Sequence, residues 1–240
     1  MEKHAPIPAG ERIVVLDVLR GVALLGILLI NINMIHSPIV YKELGGEELW
    51  TEPLDQIIYS ITEFFVQGKF YTLFSFLFGY GFYIFMTRAE LKLTSGTRLY
   101  WRRISILLGF GLIHIIFFWW GDILTWYALT GMLLLAFYKQ TPKSLLAFAL
   151  GISGLYMLLN VLLIVSLMLT QTAGTTGGTG VFSFYSDMID SSYALYTGSY
   201  LDAMAQRLMD MMFYLPQVTI AAAFSILPMF LFGMYTAKKG

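Results

Sequence analysis

His114 lies in the run GFGLIHIIFFWWGD, beyond Arg102 and Arg103 and before Trp120. At ~1.5 Å of rise per residue it sits roughly 15 Å above the end marked by those arginines, near the middle of a helix able to cross a membrane. An imidazole at that depth is no solvated surface group. Either it hydrogen-bonds between helices, or it handles protons or acyl groups in a cavity, being the side chain poised near neutral pH. Gly121 and Asp122 follow as a short turn between two apolar runs. Asp122 either caps the next helix or holds an imidazolium. His114 lies about 10 Å in depth below the turn, so direct contact with Asp122 is left open, while Tyr127 and Thr130 fall nearer its level.

Other polar groups also stand where lipid makes them expensive. Asp17 and Arg20 open an apolar run in LDVLRG and share a helix face, three residues apart. They form either an ion pair at the membrane surface or, through the Arg20 fork, a receiver for an anionic group such as phosphate. Asn31, Asn33 and His36 stand at the far end of that run. They are either interhelical glue or substrate contacts. Ser75, Gly79 and Gly81 give FSFLFGYGF a small-residue face, which suits packing more than chemistry. No Walker loop, dinucleotide fingerprint, HExxH or GxSxG is present. His4, His36 and His114 lack metal-ligand spacing, so no metal is expected.

Membrane helices must position these groups. Of the 240 residues 58% are hydrophobic and only 12% charged, and the mean hydropathy is +0.70. A soluble domain carries about 25% charge, so this chain must face lipid. Its net charge of zero removes a global case for nucleic-acid binding. The absence of cysteine excludes disulfides, cysteine–metal sites and thiol nucleophiles. Six runs approach the ~20 residues a spanning helix needs: about 17–33, 70–87, 104–120, 123–138, 145–169 and 212–234, the last interrupted by Pro216 and Pro228. The first reads as an uncleaved signal anchor.

Charge then orients the bundle. All but Lys42, Lys69 and Arg207 of the 15 basic residues fall at the termini or in the segments around 88–103 and 139–143. Basic residues stay in the cytoplasm, which predicts six spans with both ends inside. The outer segment 37–67 is acidic and carries Leu54, Ile57, Ile58, Ile61, Phe64 and Phe65 at helical spacing. That pattern predicts an interfacial helix, broken at Gly68 before the second span. The outer segment 170–210, with GTTGGTG at 174–180, reads as a flexible loop. The fold expected is therefore an all-α polytopic transmembrane bundle, with residues 1–240 as one domain.

Three stretches taken together resemble a known family. LDVLRGVA at 16–23, FSFLFGYG at 74–81 and HIIFFWWGDILTWYALTG at 114–131 match LDxLRGxA, FSxLFGxG and HxxxxxxGDILxxYAxxG of the YeiB family of bacterial membrane proteins. The opening is also similar to that of the heparan-α-glucosaminide N-acetyltransferases. The resemblance implies a transmembrane acyltransferase that moves an acyl group from cytoplasmic acyl-coenzyme A to a sugar or cell-envelope acceptor at the outer face. Under it Arg20, Arg102 and Arg103 receive the coenzyme phosphates, with Asp17 beside Arg20. His114 serves as general base or acyl carrier, Asp122, Tyr127 and Asn33 orient it or the acceptor, and Asn31 is a further substrate contact. His36 holds a place broadly similar to a histidine of the sugar acetyltransferases, whereas His114 fits the YeiB pattern better. The family generally runs longer, so a further C-terminal region is expected after residue 240. Homo-oligomerisation is a further possibility. The alternatives are a transporter or flippase, or a non-catalytic membrane module held together by its polar groups.

Overall fold

The computed structural model describes residues 13–35, 39–45, 49–91, 95–172 and 178–239. Among these the chain is almost wholly helical, with no strand. Helix α1 is Val14–Ile35, α2 Ile39–Gly45, α3 Pro53–Phe65, α4 Lys69–Leu91 and α5 Gly96–Phe117. They are followed by α6 Leu124–Phe137, α7 Pro142–Thr172, α8 Gly178–Tyr196 and α9 Tyr200–Lys239. Four stretches of the described residues are long and apolar enough to cross a membrane: Val14–Ile32, Pro53–Leu91, Gly96–Phe117 and Pro142–Leu169. The other two expected spans correspond to α6, of 14 residues, and to the second half of α9.

Apolar side chains cover the outside. Leu25 and Leu29 on α1, Phe110 on α5 and Leu158, Leu162 and Leu169 on α7 are all exposed. In water each would forfeit ~25 cal/mol per Å² of apolar surface, whereas lipid takes them at no such cost. The protein is an all-α membrane helix bundle.

Helix α4 lies at the centre, packed on α9, α1 and α5. Glycines set its distance from α9. A Cβ on Gly79 would stand 1.9 Å from the Phe230 carbonyl oxygen, and one on Gly233 would stand 2.0 Å from that of Phe76. The backbones therefore touch, as small residues permit in a membrane where apolar burial supplies no driving force. Around this contact Phe78 stacks on Phe230 at 4.5 Å. Phe82, Tyr100, Ile104, Tyr127, Leu134, Leu231 and Met234 complete the core.

Helix α3 buries no residue, and Gly68 follows it in the left-handed region at φ 72°, where a side chain would be strained. The segment 170–210 departs from its expected loop character. Helix α7 runs on to Thr172, Gly178–Tyr196 forms α8, and α9 begins at Tyr200. The helical signal lies in Ile189 and Ser192, three apart and both buried, on the face that α8 turns to α2 and α9. Gly178, Thr179 and Gly180 open a helix in place of a loop; residues 173–177 lie outside the described part.

Ser199 and Asp202 cap the start of α9 reciprocally. The Asp202 carboxylate accepts the Ser199 backbone N–H at 2.8 Å and its hydroxyl at 2.7 Å, and the Asp202 N–H reaches the Ser199 hydroxyl at 3.3 Å. These bonds hold the Asp202 carboxyl below the usual carboxylate range. Helix α9 then passes through Pro216 and Pro228 unbroken. A proline removes one ladder bond, and tight neighbours tolerate this inside a bundle; Pro228 is fully buried.

Candidate functional site

The site forms where α5 ends. Helix α5 stops at Phe117 and α6 starts at Leu124, so the connection is the six residues 118–123 and not the Gly121–Asp122 pair alone. The His114 carbonyl accepts the N–H of both Phe118 and Trp119, at 2.9 and 3.0 Å. The return then folds back along α5 and recovers the depth that an extended helix would have placed between His114 and Asp122. His114 Nδ1 comes to 3.1 Å from Asp122 Oδ1. His114 Nδ1 and Asp122 Oδ1 are both buried and lack an aligned hydrogen bond, so this is a close approach of the two atoms. The imidazole is 37% exposed and the carboxylate side chain 0%; one partner is reachable and the other sealed.

The capping reading of Asp122 is seen directly, beside the approach to His114. Oδ2 accepts the Thr125 backbone N–H at 2.6 Å, capping the first turn of α6, while Oδ1 faces the imidazole. Gly111 makes this approach possible, because a Cβ there would lie 2.5 Å from the Thr125 N and Oγ1. Gly121 similarly accommodates the Trp119 ring, 2.3 Å from where its Cβ would be. The Phe118 ring lies parallel to the His114 ring at 5.8 Å.

Tyr127 is not part of this arrangement. Its hydroxyl meets Ser75 Oγ at 2.6 Å and donates to the Tyr71 carbonyl at 3.4 Å, both on α4. Its ring is packed among Phe74, Phe78 and Phe230. Nearness in helical level suggested a partner for His114, but the side chain points to the core.

At the other end of the bundle Arg20 Nη1 pairs with Asp17 Oδ1 at 3.2 Å and Nη2 reaches the Leu77 carbonyl at 3.5 Å. Gly81 leaves room for the guanidinium, since a Cβ there would lie 2.5 Å from Nη2. Arg20 and Arg103 line one cavity of about 410 Å³, walled by Phe74, Phe78, Phe82, Phe85, Tyr100, Ile104 and Leu107. The Arg103 guanidinium lies over the Phe85 ring at 4.6 Å. Arg102 is exposed and does not line the cavity. Asn31 is half-buried on α1; the Asn33 side chain and His36 lie outside the described residues.

Sequence reasoning missed a second polar cluster. Asp210 on α9 is 2% exposed and accepts hydrogen bonds from Tyr41 of α2, from Tyr196 of α8 at 2.5 Å and from Gln206 Nε2 at 2.7 Å. Burial first, and then the bond to Asp210, pushes the Tyr41 and Tyr196 hydroxyls far above their usual value, so both stay donors. The available signal was Gln206 and Asp210 at i, i+4 just before an apolar run. A larger cavity of about 870 Å³ between α1, α2 and α3 is also lined by Glu43, Asp55, Glu63, Trp50 and Tyr59. Burial, with Glu63 nearby, raises the Glu43 carboxyl above its usual range.

Fold and site together define a multi-helix membrane bundle with a His–Asp pair at one end of its core. The chain belongs to the YeiB-like family of uncharacterised proteins. The uncharacterized protein YxaH of Bacillus subtilis (strain 168) is 37% identical over 253 residues, covering 100% of this chain and 61% of the relative. An uncharacterized 39.9 kDa protein in the amylase 3′ region of Bacillus acidopullulyticus is 43% identical, over 56% of this chain and 36% of its own length. The uncharacterized YeiB of Escherichia coli (strain K12) is 33% identical, over 66% of this chain and 39% of its own length. The chain thus spans about three-fifths of the first relative and less than two-fifths of the others. No family model matches, and no solved structure matches.

Proposed function

We propose that this chain is the front part of a membrane acyltransferase, which takes an acyl group from cytoplasmic acyl-coenzyme A and passes it to a hydroxyl or amine of a sugar or cell-envelope acceptor at the outer face. The observation that carries the reading is the 3.1 Å contact between a reachable imidazole and a sealed carboxylate. A carboxylate beside Nδ1 favours the ring proton on that side, which leaves Nε2 as the base. Nε2 takes the acceptor proton as the acceptor oxygen or nitrogen bonds to the thioester carbon. The carbon–sulfur bond breaks, and the imidazolium returns the proton to the departing thiolate. Arg20 and Arg103, sharing a cavity, supply the charge-assisted fork for the donor phosphates. Arg103 and His114 are 11 residues apart on α5, about 16 Å at helical rise, which the donor arm spans.

Binding tests the donor. A ligand that stabilises only the folded state raises the melting temperature with the logarithm of its concentration. Acyl-coenzyme A should raise the melting of the full-length protein. Arg20→Met and Arg103→Met should each weaken that response about tenfold or more, the size of a lost hydrogen bond to charge, and Arg102→Met should not. A panel of acyl-coenzyme A species that produces no shift removes this reading and favours solute transport.

The reading needs six spans and cytoplasmic termini in the bacterial inner membrane. The chain has no cysteine, so single cysteines at positions 94 and 176 report topology without background. An impermeant thiol reagent on intact cells should label position 176 and spare position 94. The reverse order would leave Arg20 out of reach of a cytoplasmic donor.

A further inference from the structure

Asp210 is a buried carboxylate that the acyl-transfer chemistry does not use. Removing a carboxylate from water is costly unless donors surround it, and here three do, from α2, α8 and α9. Its place on α9 gives the cost a use. Arg207 lies three residues before it and Tyr214 four after, on the same helical face.

Each of these neighbours touches the return between His114 and Asp122. Arg207 Nη1 donates to the Phe117 carbonyl at 3.3 Å, and the Tyr200 hydroxyl donates to the same oxygen at 2.8 Å. Phe117 ends α5, three residues after His114. Tyr214 stacks on Trp120 at 4.4 Å and 20°, two residues before Asp122. Tyr41, whose hydroxyl bonds to Asp210, has its ring 5.6 Å from that of Tyr214. The return is therefore held at its start by capping bonds and at its middle by a ring clamp, both borne on α9.

We infer that Asp210 is a positioning residue, which through Tyr41, Tyr214 and Trp120 fixes the return 118–123 and so keeps Asp122 against His114. Its importance to the reaction rests on the acyl-transfer reading; the clamp itself does not. The return has few bonds of its own beyond those to the His114 carbonyl and the Asp122 cap. Without the clamp it opens locally while the α4–α9 core stays intact.

The test uses the full chain in detergent, with His4→Gln and His36→Gln so that His114 is the remaining imidazole of the three. The probe is diethyl pyrocarbonate, with the rate of imidazole modification followed beside the melting temperature. Asp210→Asn should speed modification of His114 about tenfold or more, as loss of a hydrogen bond to charge does to a local opening equilibrium. Ser75→Ala removes a buried side-chain bond, to Tyr127, far from the clamp. It should lower melting and leave the modification rate unchanged. Should Asp210→Asn fail to fold, Tyr41→Phe removes a single donor and should shift the rate in the same direction. Equal rates in the clamp variant and Ser75→Ala, at matched melting temperatures, overturn the inference. If His114→Ala retains transfer while Asp210→Asn exposes His114, the acyl-transfer reading falls and the clamp stands.

Discussion

Under the proposed acyl-transfer reading, the expected result of His114→Ala is a loss of transfer of about 10²–10⁴-fold, the usual contribution of a positioned general base, in a protein that remains folded and inserted. The warrant is the asymmetry of the pair. A partly exposed imidazole is available to a substrate, and a fully buried Asp122 side chain has no role at the surface. If His114 only joined helices, its removal would leave Asp122 Oδ1 buried beside nothing, and the damage would fall on stability. Melting in detergent and transfer by whole cells separate the two outcomes. Full activity with a lowered melting temperature would show that the pair is structural. His114→Gln sharpens the comparison, because an amide keeps a donor near Asp122 but cannot take up a proton at neutral pH.

Gly79→Val and Gly233→Val each prevent α4 and α9 from closing, and the expected outcome is loss of the folded protein. The added carbons would begin 1.9 and 2.0 Å from backbone oxygen atoms of the facing helix. Backbone cannot rotate aside as a side-chain tip can, so the helices must separate. Overpacking of this kind costs upward of ~3 kcal/mol. Gly109→Val, where a Cβ meets nothing within 4 Å, is the matched control and should change melting by less than ~1 kcal/mol, the scale of intrinsic helix propensity. Comparable losses at all three positions would mean that the cost arises within each helix and not between helices.

The identity of the elements was legible in the sequence because lipid imposes one simple rule. Backbone groups in hydrocarbon must bond internally, so an apolar run of sufficient length reads as a helix. The runs beginning at 17, 70 and 145 accordingly fall within α1, α4 and α7, and the run from 104 overlaps α5 as far as Phe117. The amphipathic spacing of 54–65 and the break at Gly68 likewise coincide with α3 and a positive φ. The segment 170–210 was misread because glycine-rich composition at 174–180 outweighed a weak helical face at Ile189 and Ser192. Composition reports the average flexibility of a segment, whereas packing on α2 and α9 decides whether it is held.

Residue types alone determined that His114 and Asp122 must be accounted for, since a bare polar group in a membrane bundle is costly whatever its neighbours. They also determined that Ser75 and Gly79 belong to a packing face. Tertiary structure decided the pairings. Whether Asp122 reaches His114 depends on α5 ending at Phe117, where the chain bends back, and no local periodicity encodes that end point. The same holds for Tyr127, taken by Ser75 across 52 positions of sequence, and for Asp210, bound to Tyr41 across 169. Sequence spacing fixes which side chains share a helix face; contacts between helices depend on where each helix stops and how closely its glycines let another approach.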